Sequence, residues 1–249
     1  MKKKLDEKTL NRFSRQVIIK NIGIIGQQKI LNSSVFVVGA GGLGCSIIDS
    51  LSRAGVGKIG IIDNDKVDLS NIHRQSLFTT KDLKKFKVDV VKRVVKNINS
   101  KVKLKTYNHR LDKKNINKFI KEYEIIVDGS DNFKTKFLLN DYSLKKKKKL
   151  IVGAISRFEG HVFSFNFKQS KSSCLKCFYQ LVPSDDVLNC EIDGVMGTIA
   201  NIIGSIQANE TLKIILDIGK KLNSSILIFD ILNLKFRTVK FSKKIKCIC

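Results

Sequence analysis

Short unbroken apolar runs alternate along this chain with longer stretches in which apolar residues recur every three or four positions. Val35 to Val38 is β-branched, continuous and stopped by Gly39, the pattern of a strand buried on both faces of a parallel sheet. Ile47, Ile48, Leu51 and Ala54 then recur at helical spacing until Gly55 ends the helix, and Ile59 to Ile62 reads as the second strand. The alternation continues with a helix over Val88 to Asn97, a strand over Val102 to Tyr107, a helix over Ile116 to Lys121 and a strand over Glu124 to Val127. A helix over Phe133 to Leu144 and a strand over Leu150 to Gly153 complete it. Strands separated by helices of this length predict a doubly wound, mostly parallel α/β sheet.

The ends of the chain have a different character. Lys8 to Lys20 reads as an amphipathic helix, followed by a helical piece from Gly26 to Leu31, so residues 8–31 form an N-terminal helical arm. Beyond Gly160, His161 to Phe167 alternates like an antiparallel strand, Ser170 to Gly194 reads as a long loop, and a helix runs from Thr198 to Ile218. Ile226 to Asp230 and Lys235 to Phe241 are expected to close the sheet as antiparallel C-terminal strands.

At 249 residues the chain suits one large α/β domain over 1–249. The opening MKKKLDEKTLNRF is basic but has no apolar core of a signal peptide, and no stretch reaches the roughly 18 apolar residues of a membrane span. A soluble, cytoplasmic protein with no membrane partner is expected. The net charge of +25, from 47 Lys and Arg against 22 Asp and Glu, raises nucleic acid binding first. The excess is spread over the whole chain, and runs such as Lys145 to Lys149 read as solvated turns, so no nucleic acid partner is expected; a basic face would still steer an acidic protein.

The chemistry concentrates after the first strand. In GAGGLG, Gly39 permits the tight turn, Gly41 lets the backbone approach a phosphate, and Gly44 lets the following helix pack closely, its N-terminus facing the anion. Asp63 ends the second strand, where a carboxylate accepts from ribose hydroxyls. This much also fits an NAD-linked oxidoreductase, and the charge alone fits a noncatalytic basic binding protein. Downstream, however, in the polar stretch that also holds Asp65 and Gln75, Asn71, Arg74 and Lys87 place an amide and two cations beyond the nucleotide loop, and Asp131 with Asn132 follows the fourth strand at the same edge. Cations suit the β- and γ-phosphates, and a carboxylate suits Mg²⁺. Asp131 also reads as a helix N-cap, and Arg74 or Lys87 as surface charges.

Taken in order, Arg12-Phe13-Ser14-Arg15-Gln16, Gly26-Gln27-Gln28-Lys29, GAGGLG, Ala54-Gly55-Val56-Gly57, Asp63-x-Asp65, Leu69-Ser70-Asn71-x-x-Arg74-Gln75, Lys87, Asp128-x-x-Asp131-Asn132 and Gly194-Val195-Met196-Gly197 closely resemble the MoeB/ThiF-type adenylating enzymes. These serve molybdopterin and thiamin biosynthesis and are bacterial relatives of ubiquitin-activating enzymes. The resemblance covers Arg12 to the final cysteines and implies a Rossmann-like fold. It also implies adenylation by ATP of the C-terminal Gly-Gly carboxylate of a small ubiquitin-like sulfur-carrier protein, with release of pyrophosphate.

By matching position, the resemblance assigns the ribose to Asp63, the phosphate border to Gly41 and Gly42, the triphosphate to Asn71, Arg74 and Lys87, and Mg²⁺ to Asp131. Arg15 resembles an arginine inserted into the neighbouring subunit's site, implying a homodimer. Cys190 matches a cysteine that thiamin-type members use in sulfur transfer, and it also reads as a plain loop thiol. Any persulfide is expected from a separate sulfur donor protein.

Six cysteines without a secretion signal should stay reduced, and their clustering points to metal or reactive thiol. Family members bind a structural Zn²⁺ through two C-x-x-C pairs. Cys174 and Cys177 fit that pattern, whereas Cys247 and Cys249 have a single residue between them and depart from it. Cys45, on the first crossover helix, reads as packing.

Overall fold

The computed structural model describes residues 5–169, 172–179, 183, 194–244 and 247. Its centre is one eight-stranded sheet built from β1 (Ser34–Val38), β2 (Lys58–Ile62), β3 (Lys103–Tyr107), β4 (Ile125–Asp128), β5 (Lys149–Ser156), β6 (Glu159–Asn166), β7 (Ser225–Asp230) and β8 (Lys235–Lys240). The strand order is β3-β2-β1-β4-β5-β6-β7-β8. The first five strands pair in parallel and the rest antiparallel, as the alternation predicts.

Among the described residues the α-helices are α1 (Glu7–Arg12), α2 (Ser14–Val17), α3 (Gly23–Leu31), α4 (Gly42–Ala54), α5 (Lys87–Ile98), α6 (Ile116–Ile120), α7 (Phe133–Lys145), α8 (Leu175–Phe178) and α9 (Gly197–Leu216). Because successive side chains on a strand point to opposite faces, the apolar runs supply two cores. Val35, Val37, Ile59, Ile61, Ile125 and Val127 pack with the apolar faces of α4, α5 and α9. Phe36, Val38, Ile126, Leu150 and Val152 pack on the other side with α6, α7 and α8. At Gly60 a Cβ would come within 2.4 Å of the Phe36 ring, so glycine is what lets that aromatic layer lie flat on the sheet.

Three elements differ from the sequence expectation. Within the expected Ser170 to Gly194 loop, Leu175–Phe178 forms the short helix α8. The predicted helix over Lys8 to Lys20 is broken at Phe13, whose ring turns inward and lies where a Cβ on Gly55 would be, 2.5 Å away. Gln16 and Gln27 then donate to the Ala54 carbonyl at the end of α4, at 3.2 and 3.1 Å, so tertiary pairing overrides helical periodicity. β5 runs past Gly153 to Ser156 before turning at Arg157 into β6. That glycine does not end a strand; a Cβ there would collide with Gln207 of α9 at 2.2 Å. No helix among the described residues is long and apolar enough to cross a membrane.

Candidate functional site

In this order the chain reverses direction across the sheet between β1 and β4, and open α/β sheets bind ligands beyond the strand carboxyl ends at such a point. A cavity of about 550 Å³ lies there. It is lined by Gly39, Gly41 and Gly42 after β1, Asp63 and Asp65 after β2, and Asn71, Arg74, Gln75 and Lys87 from the next connection. Asp131 and Asn132, after β4, close the opposite side. Thus every nucleotide-site residue expected from the sequence except Gly44 faces one space.

The glycine loop explains its own composition. Gly39 has φ +87°, and a Cβ on it would sit 2.9 Å from the Gly129 carbonyl oxygen. A Cβ on Gly44 would lie 2.1 Å from the Gly39 carbonyl oxygen, which is why Gly44 packs the helix against the loop without lining the cavity. At Gly41 only Gln75 comes within 4 Å of such an atom, at 3.9 Å, so the space beside this backbone is open to a ligand. No side chain caps the N-terminus of α4, leaving its first amides directed at the cavity end of the helix.

Asp63 Oδ2 accepts from the Ala40 amide at 2.7 Å and Oδ1 from the Asp65 amide at 2.8 Å. Burial pushes this carboxyl above its ordinary range, against the opposing pull of the Lys87 charge and those amides. Lys87, the first residue of α5, is 5% exposed and its Nζ meets Asp65 Oδ2 at 3.0 Å. Arg74 donates from Nη1 to the Ser70 carbonyl at 2.9 Å and from Nη2 to Asn71 Oδ1 at 3.2 Å, and its Nη1 lies 2.8 Å from His73 Nε2. Gln75 donates to the same Asn71 oxygen at 2.7 Å, and its own Oε1 is buried without a hydrogen-bond partner among the described residues.

On the opposite side the helix cap is Asn132, whose Oδ1 accepts from the Thr135 amide at 2.8 Å, so the N-cap reading of Asp131 is corrected. Asp131 is exposed at the cavity, and its Oδ1 accepts from Asn132 Nδ2 at 3.1 Å. Sequence reasoning missed the support beneath this segment. Lys136, buried in α7, reaches Asp128 at the end of β4, and nothing in the sequence around it sets it apart from neighbouring lysines.

The cysteines gather elsewhere. Cys174, Cys177 and Cys247 bring their sulfur atoms within 4.8 Å of one another, with Cys174 4.0 Å from Cys177 and 3.6 Å from Cys247. Tetrahedral thiolates around one Zn²⁺ at about 2.3 Å lie about 3.8 Å apart, so the donor set fits that ion. Cys249 and Cys190 lie outside the described residues. Arg15 is exposed on α2, away from the cavity of its own chain. Cys45 is buried in α4, and burial pushes its thiol up to about 12, which suits packing.

A model of the ThiF family matches residues 13–249. The chain belongs to the ThiF family. It is 40% identical over 247 residues to the adenylyltransferase and sulfurtransferase MOCS3 of Culex quinquefasciatus, covering 98% of this chain and 56% of that protein. With the sulfur carrier protein adenylyltransferase of Thermus thermophilus it shares 36% over 242 residues, 96% of this chain and 89% of that one. The chain therefore spans about half the length of the MOCS3 proteins it matches. Among solved structures, E. coli MccB with MccA-N7isoASN superposes with a TM-score of 0.85 over 96% of this chain and 74% of that one, at 21% identity, a likeness of fold.

Proposed function

We propose that this ThiF-family protein adenylates the C-terminal glycine carboxylate of a small ubiquitin-like sulfur-carrier protein with ATP, releasing pyrophosphate, for molybdopterin or thiamin biosynthesis. The observation that carries the reading is the convergence of the glycine loop, Asp63, Arg74, Lys87 and Asp131 on one cavity. A nicotinamide site has no use for two cations and a carboxylate gathered beyond the glycine loop. The sulfur-carrier activity in the name of the Thermus relative, which this chain matches over nearly its whole length, supports the same reading.

In this account the carrier's carboxylate, already ionised at neutral pH, attacks the α-phosphorus, and the bond to pyrophosphate breaks. No general base is needed. Gly41, Gly42 and the amides of α4 cradle the phosphates, Asp63 holds the ribose, and Asn71 orients Arg74 through the hydrogen bond it already accepts. Arg74 and Lys87 exchange their present partners, the Ser70 carbonyl and the exposed Asp65 carboxylate, for phosphate oxygens. Gln75 and Asn132 orient Asn71 and Asp131. Asp131 would hold Mg²⁺, which supplies charge neutralisation to the leaving pyrophosphate.

The chain acts as one adenylating unit within a homodimer. Support comes from the arm, where Ile18, Ile19, Ile24 and Ile25 are each about half exposed or more, an apolar surface suited to a second copy that would carry Arg15 into the neighbouring cavity. Cys174, Cys177 and Cys247 would hold a structural Zn²⁺ in this reading, with Cys249 assigned as the fourth thiolate from the sequence alone. With a thiamin-type carrier, Cys190 and a separate sulfur donor would serve the later sulfur transfer; with a molybdopterin-type carrier, Cys190 is a plain loop thiol. ATP–pyrophosphate exchange with candidate carriers ending in Gly-Gly tests the proposal: exchange that requires Mg²⁺ and one carrier supports it, and no exchange with any carrier in folded protein overturns it.

A further inference from the structure

Directly beneath the acidic side of the cavity lies a fully internal ion pair. Lys136 and Asp128 have side chains 1% and 0% exposed, and Lys136 Nζ is 3.1 Å from Asp128 Oδ2. The other two ammonium protons have acceptors as well, the Ser130 carbonyl at 2.7 Å and the Gly153 carbonyl at 2.6 Å. Asp128 in turn accepts through Oδ1 from the Ser130 amide at 2.9 Å and its hydroxyl at 2.6 Å, and its main-chain oxygen accepts from Gln207 Nε2 at 2.8 Å. One ammonium thereby joins the ends of β4 and β5 to the turn between Asp128 and Asp131, with all of its donors used.

Stability alone does not account for this arrangement. A buried ion pair is commonly no better than well-packed apolar residues of the same volume, because desolvation offsets the attraction. What the pair does supply is a fixed direction for Ser130, one residue before Asp131. Lys136 itself does not line the cavity and so does not touch a ligand there.

We infer that Lys136 is a positioning residue, which locks the Gly129–Asn132 turn so that the Asp131 carboxylate is preset for a divalent cation. The part of this inference that concerns the cation rests on the adenylation reading; the locking of the turn does not.

Hydrogen exchange on the wild-type protein tests the locking first. The Ser130 amide should exchange as slowly as the amides of β4, and exchange as fast as that of an exposed loop would overturn the inference. The double variant Lys136→Met with Asp128→Asn removes the charges together and avoids stranding either one. In it, protection at Ser130 should fall at least about tenfold while β1 and α4 keep theirs; unchanged protection contradicts the inference. In pyrophosphate exchange the same variant should need at least about tenfold more Mg²⁺ for half-maximal rate, with the ATP KM within about threefold of wild type. A merely structural residue would lower the folded fraction and leave that Mg²⁺ requirement unmoved. Wild-type protein that shows no exchange defeats the adenylation reading, and the hydrogen-exchange result still decides the role of Lys136.

Discussion

The two sides of the cavity are held in opposite ways. The cationic side, with Asn71, Arg74 and Lys87, is tied to groups that a ligand can replace: the Ser70 carbonyl, His73 and the exposed carboxylate of Asp65. The acidic side, with Asp131 and Asn132, rests on a network in which the buried Lys136 ammonium has all three donors engaged, by Asp128, Ser130 and Gly153, and none is left over for a ligand. Two buried lysines thus do different things. Lys87 keeps an exchangeable partner, whereas Lys136 is saturated. The comparison teaches that burial alone does not mark a lysine as structural or as ligand-binding; the replaceability of its partners does.

Substitutions can break this contrast in graded ways. The largest effect is expected for Asp131→Ala, which should abolish pyrophosphate exchange, a loss of about 10³ or more, with an unchanged melting temperature, because its carboxylate supports no buried group. Near-normal turnover would remove Asp131 from the magnesium role. Lys87→Met and Arg74→Ala should each lower the exchange rate by about 10² to 10³, the usual cost of one preorganised donor. Lys87→Met should shift stability by only about 1 kcal/mol, since its partner stays solvated.

Lys136→Met should do the reverse in denaturant titration, costing about 3–5 kcal/mol by leaving Asp128 buried and unpaired. Equal stability losses for the two lysine variants would erase the distinction. A smaller effect concerns pH. Burial raises the Asp63 carboxyl, so as pH falls through that raised value the group gains its proton before an ordinary carboxylate would. Nucleotide affinity measured by titration should then weaken on acidification in wild type, and Asp63→Asn should bind weakly with no such pH dependence.

The central part of the parallel sheet was readable because strands such as β1 and β4 are short apolar runs closed by a glycine or a polar residue, as at Val35 to Val38, whereas the edge strand β3 alternates lysine with Leu104 and Thr106. The cavity was readable for a related reason: its residues follow strand ends, so sequence order and spatial position coincide. What stayed hidden depends on distant contacts. Phe13 breaks the arm helix because Gly55, far along the chain, gives it room. Gly153 sits inside β5 because Gln207 leans on it, which no local pattern records. Lys136 looked like another lysine in a lysine-rich chain until β4 and β5 supplied its acceptors.

The most direct test of the central claim is the intact mass of the carrier after incubation with this protein, ATP and Mg²⁺. The account predicts that one carrier ending in Gly-Gly gains a single AMP, that the label is lost with Asp131→Ala, and that a carrier lacking its terminal glycine stays unmodified. A carrier mass that never changes, with ATP left intact in the presence of folded protein, would contradict adenylation as the work of this cavity.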